Sequence, residues 1–225
     1  TIFFFQSCLK VILLDRNAKL VKIKRLLCSN FKSKMPVFKT ILETKKQRIK
    51  YNGNQCGLIP TMGSLHKGHF SLIEKSLKTD DDIWVSIFIN PTQFNCEKDF
   101  KKYPKNFDED LKKIKSVSNK INVFLPAESE IYPKKIKSSK FNMNNLNSIF
   151  EGVDRPGHFE GVLTVVSKLF KIINPDNAYF GEKDFQQLCI IKNWQKHNNI
   201  PVNIIASPTI CLLYTSPSPR DESTS

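Results

Sequence analysis

Two histidines three positions apart, His66 and His69, are the residues of this sequence best suited to phosphate chemistry. They lie in the segment PTMGSLHKGH (residues 60–69), which follows a short apolar run and precedes an amphipathic stretch. On the first turn of a helix, side chains three apart share one face, so both rings can reach one ligand. Glycines and free backbone N–H groups at a strand–turn–helix junction attract phosphate, and imidazoles can donate hydrogen bonds to phosphoryl oxygens. The segment therefore predicts a nucleotide phosphate site.

Two alternatives stay open for this pair. Zinc needs three or four protein ligands, but the other histidines are His158 and His197, and the six cysteines are too widely spaced for a CxxC site. Both histidines could also be ordinary loop residues. The strand–turn–helix setting favours a phosphate site over both alternatives.

Polar groups also follow two further predicted strands. Asn90 and Gln93 come directly after the apolar run IWVSIFI, and amides recognise hydroxyl and carboxylate groups without adding charge. Lys183 lies in the turn GEKD (residues 181–184), where an ammonium can neutralise phosphate charge. Gln187 comes one turn into the next helix and can face the same cleft. Each segment alone is also typical of an ordinary turn, so the interpretation depends on their convergence.

Asp99 is the candidate metal ligand. It lies beyond Gln93 in a polar stretch that predicts an exposed loop, and its carboxylate could hold Mg²⁺ beside phosphates. An ordinary solvated surface acid is the alternative.

Strand and helix patterns alternate from Met35 onward, and such alternation predicts a doubly wound α/β fold with a parallel sheet. Asn106 and Glu109 are spaced as a capping box at the start of one predicted helix. Ligands of this fold bind at the carboxyl ends of the strands. The predicted strands span residues 56–60, 83–89, 121–125, 178–180 and 202–206, and the predicted helices span 68–78, 106–117, 161–173 and 185–197.

Length and composition are consistent with one full globular domain. The chain has 225 residues, of which 40% are hydrophobic and 25% charged. It contains no run of about eighteen apolar residues, so no membrane span is predicted. The net charge of +14 suggests that nucleic acid could be a binding partner. Residues 1–34 supply half of that charge, and the remainder lacks an RRM-like or zinc-finger signature, so we expect neither a nucleic-acid nor a membrane partner. A basic nucleic-acid-binding module remains an alternative.

Residues 1–34 are basic and almost free of acid, and the first methionine is Met35. Arg-rich, acid-poor leaders are typical of organelle transit peptides, but lysine outnumbers arginine here. We interpret this segment as a basic leader or a non-native extension outside the core. We expect a cytoplasmic protein, with organelle targeting left open.

Four segments together resemble the pantothenate synthetase (pantoate–β-alanine ligase) family, in order and at suitable spacing. They are PTMGSLHKGH, VSIFINPTQF, RPGHFEGVLTVVSKLF and NAYFGEKDFQQL. The resemblance covers residues 35–210 and implies a Rossmann-like nucleotidylyltransferase (HxGH) domain that binds ATP, Mg²⁺ and pantoate. It implies that pantoate is activated as pantoyl adenylate with release of pyrophosphate, and that β-alanine then displaces AMP to give pantothenate. It also implies a homodimer; another HxGH nucleotidyltransferase remains an alternative.

The resemblance also implies roles for individual residues. His69 matches the proton donor, and His66 and Lys183 lie with it on the phosphates. Gln93 and Gln187 match the residues that bind pantoate, and Gln93 also meets β-alanine. The implied ATP-binding residues are Met62, Gly63, Ser64, Leu65, His66, Lys67, Gly68, His69, Gly181, Glu182, Lys183, Asp184 and Ile210.

The resemblance stops after Ile210. The family continues with a second phosphate-binding segment and a C-terminal domain that closes over the site, whereas residues 211–225 read CLLYTSPSPRDESTS. That stretch resembles a translated sequencing adapter, and a disordered Ser/Pro tail is the alternative. We therefore expect that the C-terminal lid domain is missing and that the chain has little or no activity, because lid closure normally excludes water.

Overall fold

A computed structural model describes residues 35–51, 53–134 and 137–210 of the chain. The interpretations of residues 1–34 as a leader and of 211–225 as a tail lie outside these residues and stay predictions. None of the helices in the described part combines the length and the apolar character needed to cross a bilayer.

Six strands form one sheet in which every neighbouring pair is parallel. This confirms the predicted α/β class. The five predicted strands are all present, with ends shifted by one or two residues, and a two-residue edge strand was missed. The strands are β1 (Val37–Phe38), β2 (Cys56–Thr61), β3 (Asp82–Ile87), β4 (Asn122–Phe124), β5 (Asn177–Gly181) and β6 (Asn203–Ser207).

Helices connect the strands, and the four predicted ones are present. The helix His158–Ile173 begins three residues before its predicted start at Gly161. The helices are α1 (Ile41–Lys50), α2 (Lys67–Thr79), α3 (Glu97–Lys102), α4 (Phe107–Val117), α5 (Glu128–Ile131), α6 (Glu151–Asp154), α7 (His158–Ile173) and α8 (Phe185–His197). Short 3₁₀ turns lie at Pro91–Gln93, Leu146–Ser148 and Glu182–Asp184.

The strand order, β1-β4-β3-β2-β5-β6, places the two halves of the domain on either side of β2. From β2 the chain moves to β3 and β4 in one direction, and β5 and β6 continue on the other side. The order therefore reverses between β2 and β5, where a doubly wound sheet opens a crevice at its carboxyl edge.

Two hydrophobic clusters cover the two faces of the sheet. Neighbouring strand residues point to opposite faces, and accordingly Leu58 belongs to one cluster and Ile59 to the other. The longest helix, α7, packs in the first cluster and buries most of its length. One side of α7 also borders the crevice.

The amino edge of the sheet is fixed by buried polar contacts. Arg48 donates to Asp82 at 2.5 Å, and Asp82 also accepts from the Trp84 indole at 2.9 Å. The Tyr179 hydroxyl donates to Asp80 at 2.6 Å. These groups pair their hydrogen-bond donors and acceptors with one another, so they stabilise the fold at this edge. The crevice lies at the opposite, carboxyl edge.

Two local predictions were wrong. Asn106 precedes α4, but its side chain caps nothing, and Glu109 pairs with Lys113 at 2.6 Å along the helix surface instead. Asp99 lies within helix α3 and not in a loop. A real capping box occurs where none was predicted, at Thr40 and Glu43 before α1.

Candidate nucleotide and hydroxy-acid site

A cavity of about 220 Å³ lies at the carboxyl ends of β2 and β5. Twelve of the residues assigned to the site from sequence line it, contributed by three separate strand–helix junctions and by the segment after β6. They are Met62, Gly63, Ser64, His66, Gly68, His69, Gln93, Gly181, Lys183, Asp184, Gln187 and Ile210. The predicted convergence of these groups is therefore observed.

The turn between β2 and α2 owes its shape to two consecutive left-handed residues, Gly63 (φ 85°) and Ser64 (φ 54°). Successive N–H groups in such a turn form an anion-binding concavity. Here the anion is the buried carboxylate of Asp110, which accepts from Ser64 N at 2.9 Å and from Leu65 N at 2.7 Å. A Cβ at position 63 would lie 2.9 Å from Asp110 Oδ2, so both φ and space require glycine.

The expectation of free backbone N–H groups at this turn was wrong. Besides the two bonds to Asp110, Gly63 N donates to Thr61 Oγ1 at 3.3 Å, and Gly68 N donates to His66 Nδ1 at 3.1 Å. His66 N in turn donates to His69 Nδ1 at 3.3 Å. These N–H groups thus form hydrogen bonds within the protein that hold the turn in shape. A ligand would therefore be bound mainly by side chains.

The two histidine rings lie against each other at the N-terminus of α2, with ring centroids 4.1 Å apart and planes inclined by 46°. Because both Nδ1 atoms accept from backbone N–H groups, the neutral rings carry their proton on Nε2. Burial lowers the pKa of His66, and the nearby Lys183 and Lys113 ammonium groups lower it further. At neutral pH His66 is therefore an uncharged Nε2–H donor.

Gln93 lies on the 3₁₀ turn after β3 and is buried at the cavity wall. Its side-chain Nε2 lies 2.9 Å from Met62 Sδ, and its backbone carbonyl oxygen lies 2.8 Å from Nδ1 of the buried His158. His158 begins α7, so this contact ties the turn to the helix. Gln187 lines the cavity from the first turn of α8.

An apolar wall faces the polar groups, and the sequence interpretation did not assign it to the site. Four residues of α7, together with aromatic residues from β5 and the segments after β3, make up this wall. They are Val162, Val165, Val166, Leu169, Phe88, Phe180 and Tyr103. A helical apolar stripe is the usual signature of a core face, and nothing in its spacing distinguishes a stripe that also lines a cavity.

Five candidate residues from the sequence do not line the cavity, and one of them, Asn90, is fully buried after β3. Leu65 is buried in the core below the turn, and Lys67 and Glu182 are exposed beside it. Asp99 is exposed on α3 and does not line the cavity. Within the part of the chain that the structure describes, no group of three or more His, Cys, Asp or Glu residues could hold a metal ion.

The arrangement suits a phosphorylated ligand next to a small branched acid. The Nε2–H groups of the two histidines and the Lys183 ammonium can bind phosphoryl oxygens. The glutamine amides can bind a carboxylate or hydroxyl, and the valines of α7 can pack against methyl groups. None of the lining groups is a serine or cysteine nucleophile paired with a base, so direct transfer between two bound ligands fits better than a covalent enzyme intermediate.

Comparison with known proteins agrees with this chemistry. Residues 36–211 match the family described as pantoate-beta-alanine ligase. A pantothenate synthetase from Christiangramia forsetii is 46% identical over 178 residues, which are 78% of this chain and 63% of that protein. A pantoate–β-alanine ligase from Schizosaccharomyces pombe is 41% identical over 173 residues, covering 76% of this chain and 61% of that protein.

A solved structure shows the same fold. The pantoate-β-alanine ligase from Francisella tularensis, crystallised with β-γ ATP and β-alanine, superposes with a TM-score of 0.76 at 37% identity. The match covers 85% of this chain and 74% of that one. The chain thus spans less than two thirds of the length of the curated relatives above and about three quarters of this structure.

Proposed function

This chain belongs to the pantoate–β-alanine ligase family, and we propose that its cavity binds ATP and pantoate and joins them as pantoyl adenylate, from which β-alanine displaces AMP to form pantothenate. The observation that carries the proposal is the convergence of the histidine pair, Lys183, Gln93 and Gln187 on one cavity with an apolar wall. A family resemblance alone would not require these groups to meet.

The phosphates occupy the end of the cavity formed by the HxGH turn and the GEKD turn. Adenylation forms a bond between a pantoate carboxylate oxygen and the α-phosphorus, while the bond to the bridging oxygen breaks and pyrophosphate leaves. Charge grows on the phosphoryl oxygens during this exchange, and Lys183 and the Nε2–H groups of His66 and His69 stabilise it. Because the donors are fixed in place beforehand, they need little reorganisation.

Pantoate lies between the α7 wall and the glutamines. Its two methyl groups pack on Val162, Val165 and Val166, and its polar end meets Gln93 and Gln187. In the second step the amine of β-alanine, which also contacts Gln93, attacks the acyl carbon and AMP departs as the leaving group. The protein supplies orientation and no covalent intermediate with the enzyme is needed.

Magnesium accompanies ATP in this proposal and neutralises phosphate charge when bound. Asp184 is the one carboxylate among the described residues that line the cavity, and a single carboxylate together with substrate phosphates is a common magnesium environment. The exposed position of Asp99 on α3 does not fit this role. We therefore assign Asp184, and not Asp99, to the Mg²⁺–ATP complex.

Assembly and location complete the proposal. We expect a cytoplasmic homodimer without nucleic-acid or membrane partners, as the family resemblance implies. Sedimentation of the purified chain tests the dimer, and a single species of monomer mass at micromolar concentration would contradict it.

Substituting Lys183 by alanine tests the assignment of the phosphate end. Removing one preorganised donor is expected to lower pantoate-dependent AMP release by about 100- to 1000-fold. Lys171→Ala on the exposed side of α7 is the matched control and should retain the wild-type rate. A Lys183→Ala rate close to wild type, or a wild-type chain whose AMP release does not depend on pantoate, would contradict the proposal.

A further inference from the structure

A buried hydrogen-bonded series connects Tyr132, which does not line the cavity, to Gln93, which does. The Tyr132 hydroxyl donates to Asn90 Oδ1 at 2.7 Å, and Asn90 Nδ2 donates to Gln93 Oε1 at 3.2 Å. All three side chains are buried, and Asn90 is 0% exposed. Because water has little access to replace these partners, the series determines which end of each amide faces which neighbour.

The partners of Asn90 distinguish its oxygen from its nitrogen. The Gly161 carbonyl, 3.0 Å from Nδ2, can only accept, and Thr92 N, 3.4 Å from Oδ1, can only donate. The hydroxyls of Tyr132 and Thr92 complete the contacts of Oδ1, at 2.7 and 3.0 Å. A reversed amide would place oxygen against the Gly161 carbonyl. Burial raises the pKa of Tyr132, so its hydroxyl stays protonated and remains a donor at neutral pH.

The orientation of Asn90 sets that of Gln93. Since Asn90 offers its NH₂ group, Gln93 turns Oε1 toward it and directs Nε2 toward Met62, 2.9 Å away on the cavity wall. An NH₂ group at that wall attracts a carboxylate, whereas a carbonyl oxygen there would repel one. The charge preference of the cavity therefore depends on a residue that never touches the ligand.

We propose that Tyr132 is a positioning residue that acts through Asn90 to hold the Gln93 NH₂ group toward the cavity, and so selects a carboxylate over its neutral analogue. The inference deepens the proposed function and rests on it, since pantoate is the carboxylate concerned. The Tyr132 ring also packs against Phe88 of the cavity wall, with 6.2 Å between the ring centroids.

Tyr132→Phe in the full chain tests this inference, because it keeps the ring and deletes the hydroxyl. Titration calorimetry compares pantoate with the triol in which hydroxymethyl replaces the carboxylate, and with ATP. Loss of one buried hydrogen bond is expected to weaken pantoate binding about 3- to 10-fold while the triol and ATP change less than about two-fold. A merely structural role would weaken the acid and the triol equally.

Tyr179→Phe is the matched control, because it also deletes one buried tyrosine hydroxyl, bonded to Asp80 at the opposite edge of the sheet. It should cost stability without changing the preference for acid over triol. Thr92→Val removes the second hydroxyl on Asn90 Oδ1 and gives an independent variant should Tyr132→Phe not fold. Thr92→Val should also reduce the preference for pantoate over the triol, by a smaller factor than Tyr132→Phe.

These measurements distinguish the role of Tyr132 from the proposed function of the cavity. A wild-type chain that prefers pantoate, with a Tyr132→Phe or Thr92→Val variant that loses this preference, supports the inference. Variants that keep the wild-type ratio overturn the role of Tyr132 and leave the proposed function intact. A wild-type chain that binds the triol as well as pantoate contradicts the proposed function itself.

Discussion

The His66 ring has two tasks that depend on its staying neutral. Its Nδ1 accepts from Gly68 N and so caps α2, and the ring lines the cavity, where its Nε2–H can donate to a ligand. Burial, assisted by Lys183 and Lys113, lowers the pKa of this ring from the model-compound value of 6.5. Protonation would remove the Nδ1 acceptor and add charge to a half-buried group, so acid should weaken both the helix cap and the fold.

The pH dependence of stability tests this account of His66. In the folded chain the pKa is below 6.5, so the unfolded chain binds more protons as pH falls through 6.5, and stability is lost from there down to the folded pKa. His66→Asn keeps a capping acceptor without a titrating ring. Its melting temperature should therefore fall less than that of wild type between about pH 7.5 and about pH 5.

His197→Gln is the matched control, because His197 is exposed at the end of α8 and does not line the cavity. That variant should show the full acid-dependent loss of the wild type. An equal loss in His66→Asn and wild type would show that another group is responsible.

At the scale of elements, the β2–α2 turn is held from α4 by one carboxylate. Asp110 accepts from two successive amides of the turn, at 2.9 and 2.7 Å. An acid in the first turn of a helix is ordinarily explained by the helix dipole, and this signal gave no reason to connect residue 110 with residues 64 and 65. Such a long-range contact depends on how α4 packs, so local sequence patterns could not predict it.

Asp110→Ala tests the anchoring of the turn. Two buried amides would lose their acceptor, and we expect a loss of about 1–3 kcal/mol in unfolding free energy together with weaker ATP binding. Asp108→Ala is the control, because Asp108 is exposed on the same first turn and so shares the dipole effect. Similar denaturant midpoints for the two variants would contradict the anchoring role.

Helix α7 and the 3₁₀ turn after β3 pack so closely that only glycine fits at their contact. A Cβ at Gly161 would lie 2.2 Å from the carbonyl oxygen of Thr92, so even a methyl group would separate the two elements. Gly161→Ala is expected to lower the unfolding free energy by about 1–3 kcal/mol and to displace Gln93, which weakens pantoate binding. Ser167→Ala on the same helix should have little effect on either quantity, and a Gly161→Ala variant as stable as wild type would refute the close packing.

Elements differed in how far the sequence could predict them. Helix α7 carries a strong apolar periodicity, strands β2 and β3 are short apolar runs, and all three were predicted. Helix α1 (ILETKKQRIK) was missed because it buries a single residue, Thr44, and its sequence shows no apolar stripe. The capping residues Thr40 and Glu43 were the available signal for it.

At the scale of the whole molecule, the site follows from topology. Parallel strands with a reversal of order between β2 and β5 bring three distant strand ends to one edge. The sequence could predict that convergence from the polar residues after each strand. It could not predict the cavity volume, its α7 wall or the Tyr132–Asn90–Gln93 series, because these depend on side-chain packing between elements far apart in the chain.

Formation of pantoyl adenylate in a single turnover tests the central claim most directly. The chain, in excess over ATP, is mixed with pantoate without β-alanine, quenched, and analysed for pantoyl adenylate and pyrophosphate by mass spectrometry. The account predicts that both products form together and only with pantoate present, at the low rate expected of this chain, and that Lys183→Ala lowers that rate by about 100- to 1000-fold. A folded chain that binds ATP and pantoate yet forms no adenylate, or one that cleaves ATP equally without pantoate, would contradict it.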